Sequence, residues 1–278
     1  MITEYWQYYK HSVIPNCFPH EEVDISYVNN KQVFNEFPGT FFVRYTTDFD
    51  CGYETDFWAC ILNEPFDLNS LKAKRRYEIN KGNKNFYCKK LTTNHLDEMY
   101  SVYLESLEGY RGKNCIISKE SFLKEWAPAF EGEKVLLLGV FEKDTNILCG
   151  YAHCIDHGKY IPISVIKTRV SKEQKGVNFA LIHGVVVYYE DKLANGSYLC
   201  DGWRNVVHET KFQDWLKKYF NFRNAYCILH IVYKRPFNVF VKLLYPFRKI
   251  IKFKQIQSIF TMEEWSRNCL RVKGKVKK

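Results

Sequence analysis

The order of apolar and polar residues between 95 and 233 predicts a chain that alternates between helices and strands. Apolar side chains recur there every three or four residues, which places them on one face of a helix. Leu96 opens the clearest of these patterns, and Gly109 is expected to end that helix. The helices predicted in this way are one from Leu96, one after a Ser118 cap, one over residues 177–192 and one over residues 207–220.

Strands are predicted where short apolar and aromatic runs are bounded by turn residues. Residues 134–142, 147–155 and 160–166 follow one another through the turns KDTN and DHGK. That turn chemistry predicts an antiparallel meander. The remaining predicted strands are residues 41–45, 56–62, 86–91, 197–201 and 225–233.

A strongly basic helix is predicted over residues 71–82, after an Asp67 or Asn69 cap and with Gly82 at its end. Residues 71–90 contain eight basic residues and one acid, Glu78. Such a helix could contact a diphosphate or a nucleic-acid backbone. The alternative is a solvated face of an ordinary helix.

Composition excludes several classes of protein. The 278 residues are 46% hydrophobic and 17% aromatic, which excludes a disordered chain. No apolar run reaches the ~18 residues of a membrane span, and the first residues lack the pattern of a signal peptide, so a cytoplasmic protein is expected. The ten cysteines form no Cys-x-x-Cys pair, which favours reduced thiols and predicts no metal site.

Positive charge is concentrated at the C-terminal end of the chain. Residues 234–278 contain 13 basic and two acidic residues, whereas the remainder is nearly neutral. Within residues 235–254, apolar side chains recur near helical spacing among lysines and arginines, and Pro246 predicts a kink. That pattern favours an element on an anionic membrane surface. The alternative is a helix packed on the domain, and the closing RVKGKVKK is expected to be a disordered tail.

Two neighbouring segments contain candidate chemistry. The turn before GVNFALIHG would present unpaired N–H groups at a helix start, with Lys172 and Lys175 beside it, and such a place suits phosphate or carboxylate. An ordinary helix start with solvated lysines is the alternative. The second segment runs from the predicted strand end at Asp201 into the helix that contains His208.

Acyl transfer needs a group that accepts the proton of the nucleophile and a donor that stabilises the oxyanion. His208 is the first candidate for the base, because it shares a helical face with Phe212 and because histidine titrates near neutral pH. Arg204 and Asp201 could orient it or bind an anionic substrate. In the alternative interpretation His208 is a hydrogen-bonded histidine at a helix start, and Glu209 favours the first turn.

The order of predicted elements and the segment around Gly176 resemble the GNAT acyltransferases. In that family a Gln/Arg-x-x-Gly-x-Gly/Ala segment binds the pyrophosphate of coenzyme A through backbone N–H groups. The matching segment here is Glu173 to Asn178, in which Gly176 matches, Glu173 replaces Gln or Arg, and Asn178 replaces the second small residue. The resemblance implies acyl-coenzyme A as co-substrate. The residues expected to bind it are Lys172, Lys175, Gly176, Val177 and Asn178.

Two further segments resemble the FemAB-like branch of that superfamily. LKAKRRYEINKGNKNFYCKKL is similar to its basic helix and following strand, with Arg75, Ile79, Lys81 and Lys84 near the matching positions. LCDGWRNVVHETKFQDWLKKYFNFR is similar to its strand-ending Asp and a following "FK…FGF" helix, although Asn221 stands where Gly is usual. The candidate catalytic residues are therefore His208, Asp201, Arg204 and Glu209, and the residues expected to bind substrate are Arg75, Lys81 and Lys211.

Taken together, these patterns predict an α/β (α+β) protein with a mixed, mostly antiparallel sheet flanked by helices. The expected division is a truncated N-terminal GNAT-like part (1–90), an acyltransferase domain (91–235) and basic amphipathic C-terminal helices (236–278). The expected reaction moves an acetyl or aminoacyl group to an amine or hydroxyl of a cell-envelope or polysaccharide precursor, on the inner face of the membrane. The alternatives are an aminoacyl-tRNA donor and an inactive GNAT-like module that binds the membrane surface. The oligomeric state is left open.

Overall fold

The computed structural model describes residues 2–29, 31–108, 116–206 and 211–276. The sequence pattern predicted the positions of α5, β6, β7 and β8 closely, as their bounds below show. The helices are α1 (Ile2–Tyr5), α2 (Ser26–Asn29), α3 (Val33–Glu36), α4 (Ala73–Asn85), α5 (Leu96–Glu108), α6 (Lys119–Trp126), α7 (Val177–Tyr188), α8 (Glu190–Ala194), α9 (Lys211–Phe220), α10 (Phe237–Leu244) and α11 (Lys254–Val276). The strands are β1 (Trp6–Tyr9), β2 (Ser12–Pro15), β3 (Phe42–Thr47), β4 (Phe57–Leu62), β5 (Phe86–Lys90), β6 (Val135–Glu142), β7 (Leu148–Ile155), β8 (Tyr160–Thr168), β9 (Tyr198–Trp203) and β10 (Arg223–Tyr233).

The chain forms two compact units, and each combines segments that are distant in sequence. Unit 1 contains residues 1–60, 203–211 and 224–278, and unit 2 contains residues 61–202 and 212–223. The division predicted from the sequence, at residues 90 and 235, stays a prediction.

Unit 2 contains a sheet in the order β9-β8-β7-β6-β5. Its β5, β6, β7 and β8 pair antiparallel, which confirms the predicted meander, and β9 joins β8 in parallel. Neighbouring residues of β6 point to opposite faces. Leu137 packs in a cluster with Met99 and Phe122 from α5 and α6, whereas Leu138 lies beside Gly184 of α7. The sheet of unit 2 is therefore flanked by helices on both faces.

Unit 1 contains a second group of paired strands in the order β1-β2-β3-β10. β1 and β2 are antiparallel, β2 and β3 are parallel, and β3 and β10 are antiparallel. One core cluster joins Trp6 and Val43 to the short helix α3. Another joins Trp265 and Cys269 of α11 to Phe57. The fold is therefore mixed α/β with mostly antiparallel strands, as predicted.

Three predicted boundaries are wrong. Gly82 lies inside α4 rather than at its end, because the absence of a side chain there lets α4 contact the turn before α7. The helix predicted over 177–192 divides at Tyr189, whose backbone leaves the helical region. The segment from Arg271, expected to be a disordered tail, continues α11 to Val276, and buried Phe260 and Trp265 anchor that helix.

Candidate active site

The strands β8 and β9 pair over only part of their length. Their register contains three pairs, the last of which joins Pro162 to Cys200, although β8 continues to Thr168 and β9 to Trp203. Proline has no N–H to donate to a ladder. Beyond that pair, the described residues of the two strands form no further ladder pairs. We call this place, bounded by residues 163–168 and 201–202, the β8–β9 opening.

A β-bulge lies at the same level of β8. The register with β7 passes from His153 opposite Val165 to Cys154 opposite Ile163, so that Ser164 is the extra residue. Ser164 is exposed. A bulge takes backbone groups out of the ladder, and free backbone N–H groups are the usual donors to an oxyanion. The backbone N–H groups of the bulge are therefore candidate oxyanion donors at the same level of β8 as the β8–β9 opening.

Asp201 is the first residue of β9 beyond the last pair with β8. Burial disfavours the ionised carboxylate and raises the pKa of Asp201 to about 7, although a hydrogen bond from the side chain of Gln213 acts in the opposite direction. Gln213 is itself buried in α9, and its Nε2 also donates to the carbonyl oxygen of Gly202 (3.5 Å). A carboxyl group with this pKa can accept a proton near neutral pH.

The turn before α7 lies against the basic helix α4. Gly176 has φ of +90°, in the left-handed region that glycine tolerates, and it directly precedes α7. A Cβ atom added to Gly82 would lie 2.6 Å from the carbonyl oxygen of Gly176. The side chain of Asn85 donates to the carbonyl oxygen of Lys175 (2.9 Å). The backbone of α4 therefore covers one side of the turn that was predicted to bind a phosphorylated carrier.

Both lysines of that turn are paired with one buried carboxylate. Glu142 is only 3% exposed, and its oxygens lie 2.8 Å from Nζ of Lys172 and 2.6 Å from Nζ of Lys175. These hydrogen bonds lower the pKa of Glu142 to about 2. Of the other residues predicted to bind the carrier, Val177 is buried and Asn178 accepts a hydrogen bond from the hydroxyl of Thr168 (2.8 Å). The single charge of Glu142 therefore compensates one of the two positive charges beside the turn, and both ammonium groups are held by it.

An aromatic cluster joins the first turns of α7 to α9. The ring of Phe179 lies 5.0 Å from that of Trp215 and 4.9 Å from that of Tyr219, and Phe212 stacks on Trp215 at 5.5 Å. All four side chains are partly exposed. Such a surface can pack against an apolar or aromatic part of a ligand.

Arg204 contacts two aromatic rings of unit 1, and its predicted catalytic role stays a prediction. Its guanidinium lies between the rings of Trp58 and Trp265, at 4.3 and 4.1 Å from their centroids, and donates to the carbonyl oxygen of Asp56 (2.5 Å). These contacts belong to unit 1 and indicate a packing role. The predicted base His208 and its neighbour Glu209 lie outside the described residues.

The predicted substrate-binding residues lie at different exposures. Arg75 and Lys81 are half-buried on α4, whose packing side contains Ile79 and Gly82, and Lys211 is exposed at the start of α9. Their role in substrate binding stays a prediction. Among the described residues, no group of His, Cys, Asp or Glu is arranged to hold a metal ion.

Ser164, Glu142 and Gln213 were missed by the sequence analysis. The one signal for the bulge was Pro162 followed by polar Ser164 within an otherwise apolar strand. Glu142 gave no signal, because its partners lie 30 and 33 residues away in the sequence. Gln213 is one amide in a charged segment, and only the tertiary structure places it beside Asp201.

Comparison with known proteins supports the fold. No protein-family model matches the chain, and no curated protein sequence matches it. Similar solved structures include the C-terminal (DUF2156) domain of a protein described as a lysylphosphatidylglycerol synthetase from Agrobacterium fabrum, with a TM-score of 0.52 and 10% identity over 85% of this chain and 83% of that one. A conserved protein of unknown function from Bacteroides thetaiotaomicron matches with a TM-score of 0.53 and 11% identity over 79% of this chain and 78% of that one.

A further structure, coenzyme A-bound PaiA N-acetyltransferase from Thermoplasma acidophilum, is similar over 38% of this chain and 73% of its own, with 19% identity and a TM-score of 0.32. From residue 96 to residue 233 the main elements follow the order predicted from the sequence, namely two helices, three antiparallel strands, a helix, a parallel strand, a helix and a strand. The mixed α/β fold is thus similar to the folds of the Agrobacterium fabrum and Bacteroides thetaiotaomicron proteins. Membership of the FemAB-like branch stays a prediction.

Proposed function

We propose that the protein is an acyltransferase that moves an acyl or aminoacyl group from an ester or thioester carrier to an amine or hydroxyl. The observation that supports this proposal best is the position of Asp201 at the β8–β9 opening, directly beyond the last strand pair. Its pKa of about 7 suits a general base at neutral pH. The exposed bulge at Ser164 supplies backbone donors at the same opening.

In the proposed reaction the carbonyl group of the donor lies in the β8–β9 opening. The amine or hydroxyl of the acceptor attacks the carbonyl carbon, and its proton passes to the carboxylate of Asp201. Backbone N–H groups at the Ser164 bulge stabilise the oxyanion that forms. The bond from carbon to the carrier's sulfur or oxygen then breaks, and the carrier leaves with the proton from Asp201, which regenerates the carboxylate.

The donor is proposed to be either acyl-coenzyme A or an aminoacyl ester on tRNA. Two observations favour the aminoacyl ester: α4 covers one side of the turn before α7, and Glu142 already pairs with both Lys172 and Lys175. The basic residues of α4, including Arg75 and Lys81, would suit the phosphates of a nucleic acid. Acyl-coenzyme A would use the first-turn N–H groups of α7 and the aromatic cluster around Phe179.

The acceptor is proposed to be a cell-envelope or polysaccharide precursor, reached from the cytoplasmic face of the membrane. The similar Agrobacterium fabrum domain comes from a protein whose name describes a lysyl group joined to phosphatidylglycerol. A hydroxyl-bearing lipid or lipid-linked sugar is the corresponding acceptor class for this chain.

Donor consumption tests the proposal without a known acceptor. The purified protein is incubated with labelled acetyl-coenzyme A or labelled aminoacyl-tRNA, with water or an added amino alcohol as the nucleophile. The wild type is expected to consume one donor, and Asp201→Asn is expected to slow consumption by about 100-fold or more. Asp191→Asn changes an exposed carboxylate of α8 and serves as the matched control.

Equal rates for the wild type and Asp201→Asn would rule out Asp201 as the base. No consumption of either donor, together with tight binding of vesicles or RNA, would instead favour a GNAT-like binding module without catalysis.

A further inference from the structure

The segment from Phe237 to Phe253 of unit 1 exposes an unusual amount of apolar surface. Phe240 and Leu243 of α10 are 56% and 65% exposed, Phe247 is 55% exposed, and Ile250 and Phe253 are each 75% exposed. Contiguous exposed apolar surface of this kind marks an interaction site. We call residues 237–253 the α10 segment.

The exposed apolar side chains lie on one face of α10. Val239, Phe240, Leu243 and Leu244 are all exposed, whereas Val241 is buried. Positions 239, 240, 243 and 244 are neighbours on a helix surface. The apolar face of α10 therefore points to solvent, which is the reverse of an ordinary surface helix.

The α10 segment is held on unit 1 by its other side. The ring of Phe237 stacks on that of Phe41 at 5.2 Å, and the ring of Tyr245 lies 6.1 Å from that of Phe260 in α11. The guanidinium of Arg248 contacts Glu264 (3.4 Å). The segment is thus anchored while its apolar face remains open.

The charged residues of the α10 segment itself are all positive. No acidic residue occurs between positions 234 and 254. Lys242, Lys249, Lys252 and Lys254 are exposed, and no carboxylate of the described residues forms an ion pair with them. Apolar side chains flanked by unpaired lysines match the interface of an anionic bilayer, where the rings enter the acyl boundary and the ammonium groups meet the head groups.

We propose that the α10 segment docks the protein on the surface of an anionic lipid bilayer. Among the described residues no helix has the length and the apolar character needed to cross a membrane. The proposed contact is therefore interfacial, with Phe240, Leu243 and Phe247 inserted and Lys242, Lys249 and Lys252 at the head groups. The acidic lipid supplies the negative charge that the segment itself lacks.

Vesicle co-sedimentation of the full chain tests this proposal. The wild type is expected to bind vesicles of phosphatidylcholine with one-quarter phosphatidylglycerol, and to bind vesicles of phosphatidylcholine alone about tenfold or more weakly. Binding to the anionic vesicles is expected to weaken as salt increases, because exposed charges are screened.

Two sets of substitutions separate the apolar contribution from the ionic one. The triple change Phe240→Ser, Leu243→Ser and Phe247→Ser is expected to weaken binding at least tenfold at any salt concentration. The triple change Lys242→Gln, Lys249→Gln and Lys252→Gln is expected to remove most of the preference for anionic vesicles. Circular dichroism and thermal melts confirm that the variants fold, which is expected because all the changed side chains are exposed.

Matched changes elsewhere on the surface are the controls. Ile147→Ser, Val187→Ser and Leu270→Ser remove exposed apolar side chains, and Lys124→Gln, Lys134→Gln and Lys159→Gln remove exposed charges. Both control variants are expected to bind vesicles as the wild type does. Donor consumption in solution is expected to be unchanged in the α10 variants, because these residues lie outside the β8–β9 opening.

Three results would overturn the proposal. One is the absence of binding to anionic vesicles by the folded wild type. Another is an equal loss in the α10 variants and in their controls. The third is a dimer in light scattering that the apolar triple change converts to a monomer, without any vesicle binding, because a second copy of the chain would then cover the face.

Discussion

Gly82 of α4 and Gly176 before α7 are in direct backbone contact. A Cβ atom on Gly82 would lie 2.6 Å from the carbonyl oxygen of Gly176, and one on Gly176 would lie 3.0 Å from Cα of Gly82. A Cβ atom in a real protein does not come within 2.6 Å of a backbone oxygen. The two glycines therefore let a basic helix close over the turn at which a phosphorylated carrier was predicted to bind.

Gly82→Ala is expected to destabilise unit 2, by about 1–3 kcal/mol, because the new methyl group meets backbone atoms that have little freedom to move. Helix propensity alone would predict the opposite sign, a gain of up to about 1 kcal/mol. Gly274→Ala in α11 is the control, since no atom lies within 4 Å of its added Cβ. Urea denaturation of both variants checks the prediction, and a stabilised Gly82→Ala would contradict the close contact.

Asp201 is expected to make the protein less stable as pH rises. The pKa of its carboxyl group is 3.8 in the unfolded chain and about 7 in the folded protein. Between these two pH values the folded state therefore binds more protons than the unfolded state. Stability therefore falls as pH rises from about 4 to about 7. Asp201→Asn removes this pH dependence. From pH 5 to pH 8 the free energy of unfolding of the variant is therefore expected to rise by about 2 kcal/mol relative to that of the wild type.

Urea melts of both proteins at the two pH values measure that gain, with Asp191→Asn as the exposed control. A constant difference between the wild type and Asp201→Asn at the two pH values would show that Asp201 titrates at its ordinary value.

Glu142→Gln is expected to destabilise the protein by about 1–3 kcal/mol at neutral pH, because two ammonium groups lose a charged acceptor. Because the pKa of Glu142 is lowered, its contribution to the stability of the fold is complete above pH 4.5 and is lost as pH falls through about 2. The difference from the wild type should therefore shrink in acid. Glu133→Gln alters an exposed carboxylate as the control.

The same variant tests the predicted carrier site. With Lys172 and Lys175 released, Glu142→Gln should bind inorganic diphosphate or coenzyme A more tightly in calorimetry if the turn accepts phosphate. Unchanged or absent binding in the folded variant would show that α4 closes the turn to such ligands.

Arg204→Lys is expected to destabilise the protein by about 1 kcal/mol, because an ammonium group does not replace a planar guanidinium between two indole rings. Arg204→Ala should cost more. Donor consumption by the folded Arg204→Lys protein should remain within about twofold of the wild type, since the stacking role requires no contact with substrate. Full stability combined with a large loss of activity would restore a chemical role for Arg204.

Local patterns were sufficient for most of the secondary structure. The helix from Leu96, the cap at Ser118 and the turns between β6, β7 and β8 depend on neighbouring residues, and these predictions are confirmed. The errors occur where a distant segment changes the outcome. In the sequence, Gly82 predicts the end of a helix. In the structure it lies inside α4, because only a glycine leaves room for the contact with Gly176, which is 94 positions further along the chain.

The candidate site was predicted only in part. Asp201 was predicted to end its strand, whereas β9 continues to Trp203, and the raised pKa of Asp201 depends on its burial in the fold. Lys172 and Lys175 were predicted to lie beside a phosphate-binding turn, and the fold pairs both with Glu142.

The sequence by itself determined the order of helices and strands in unit 2, the concentration of positive charge after residue 234 and the presence of a glycine turn before α7. Periodicity, turn chemistry and charge are properties of short segments, so they can be recognised in a single amino-acid sequence. Tertiary structure alone decided that β9 leaves β8 after Cys200, that Arg204 stacks between Trp58 and Trp265, and that the apolar face of α10 points to solvent. Those outcomes depend on which distant side chains meet, because burial, pairing and exposure are set by the whole packed chain.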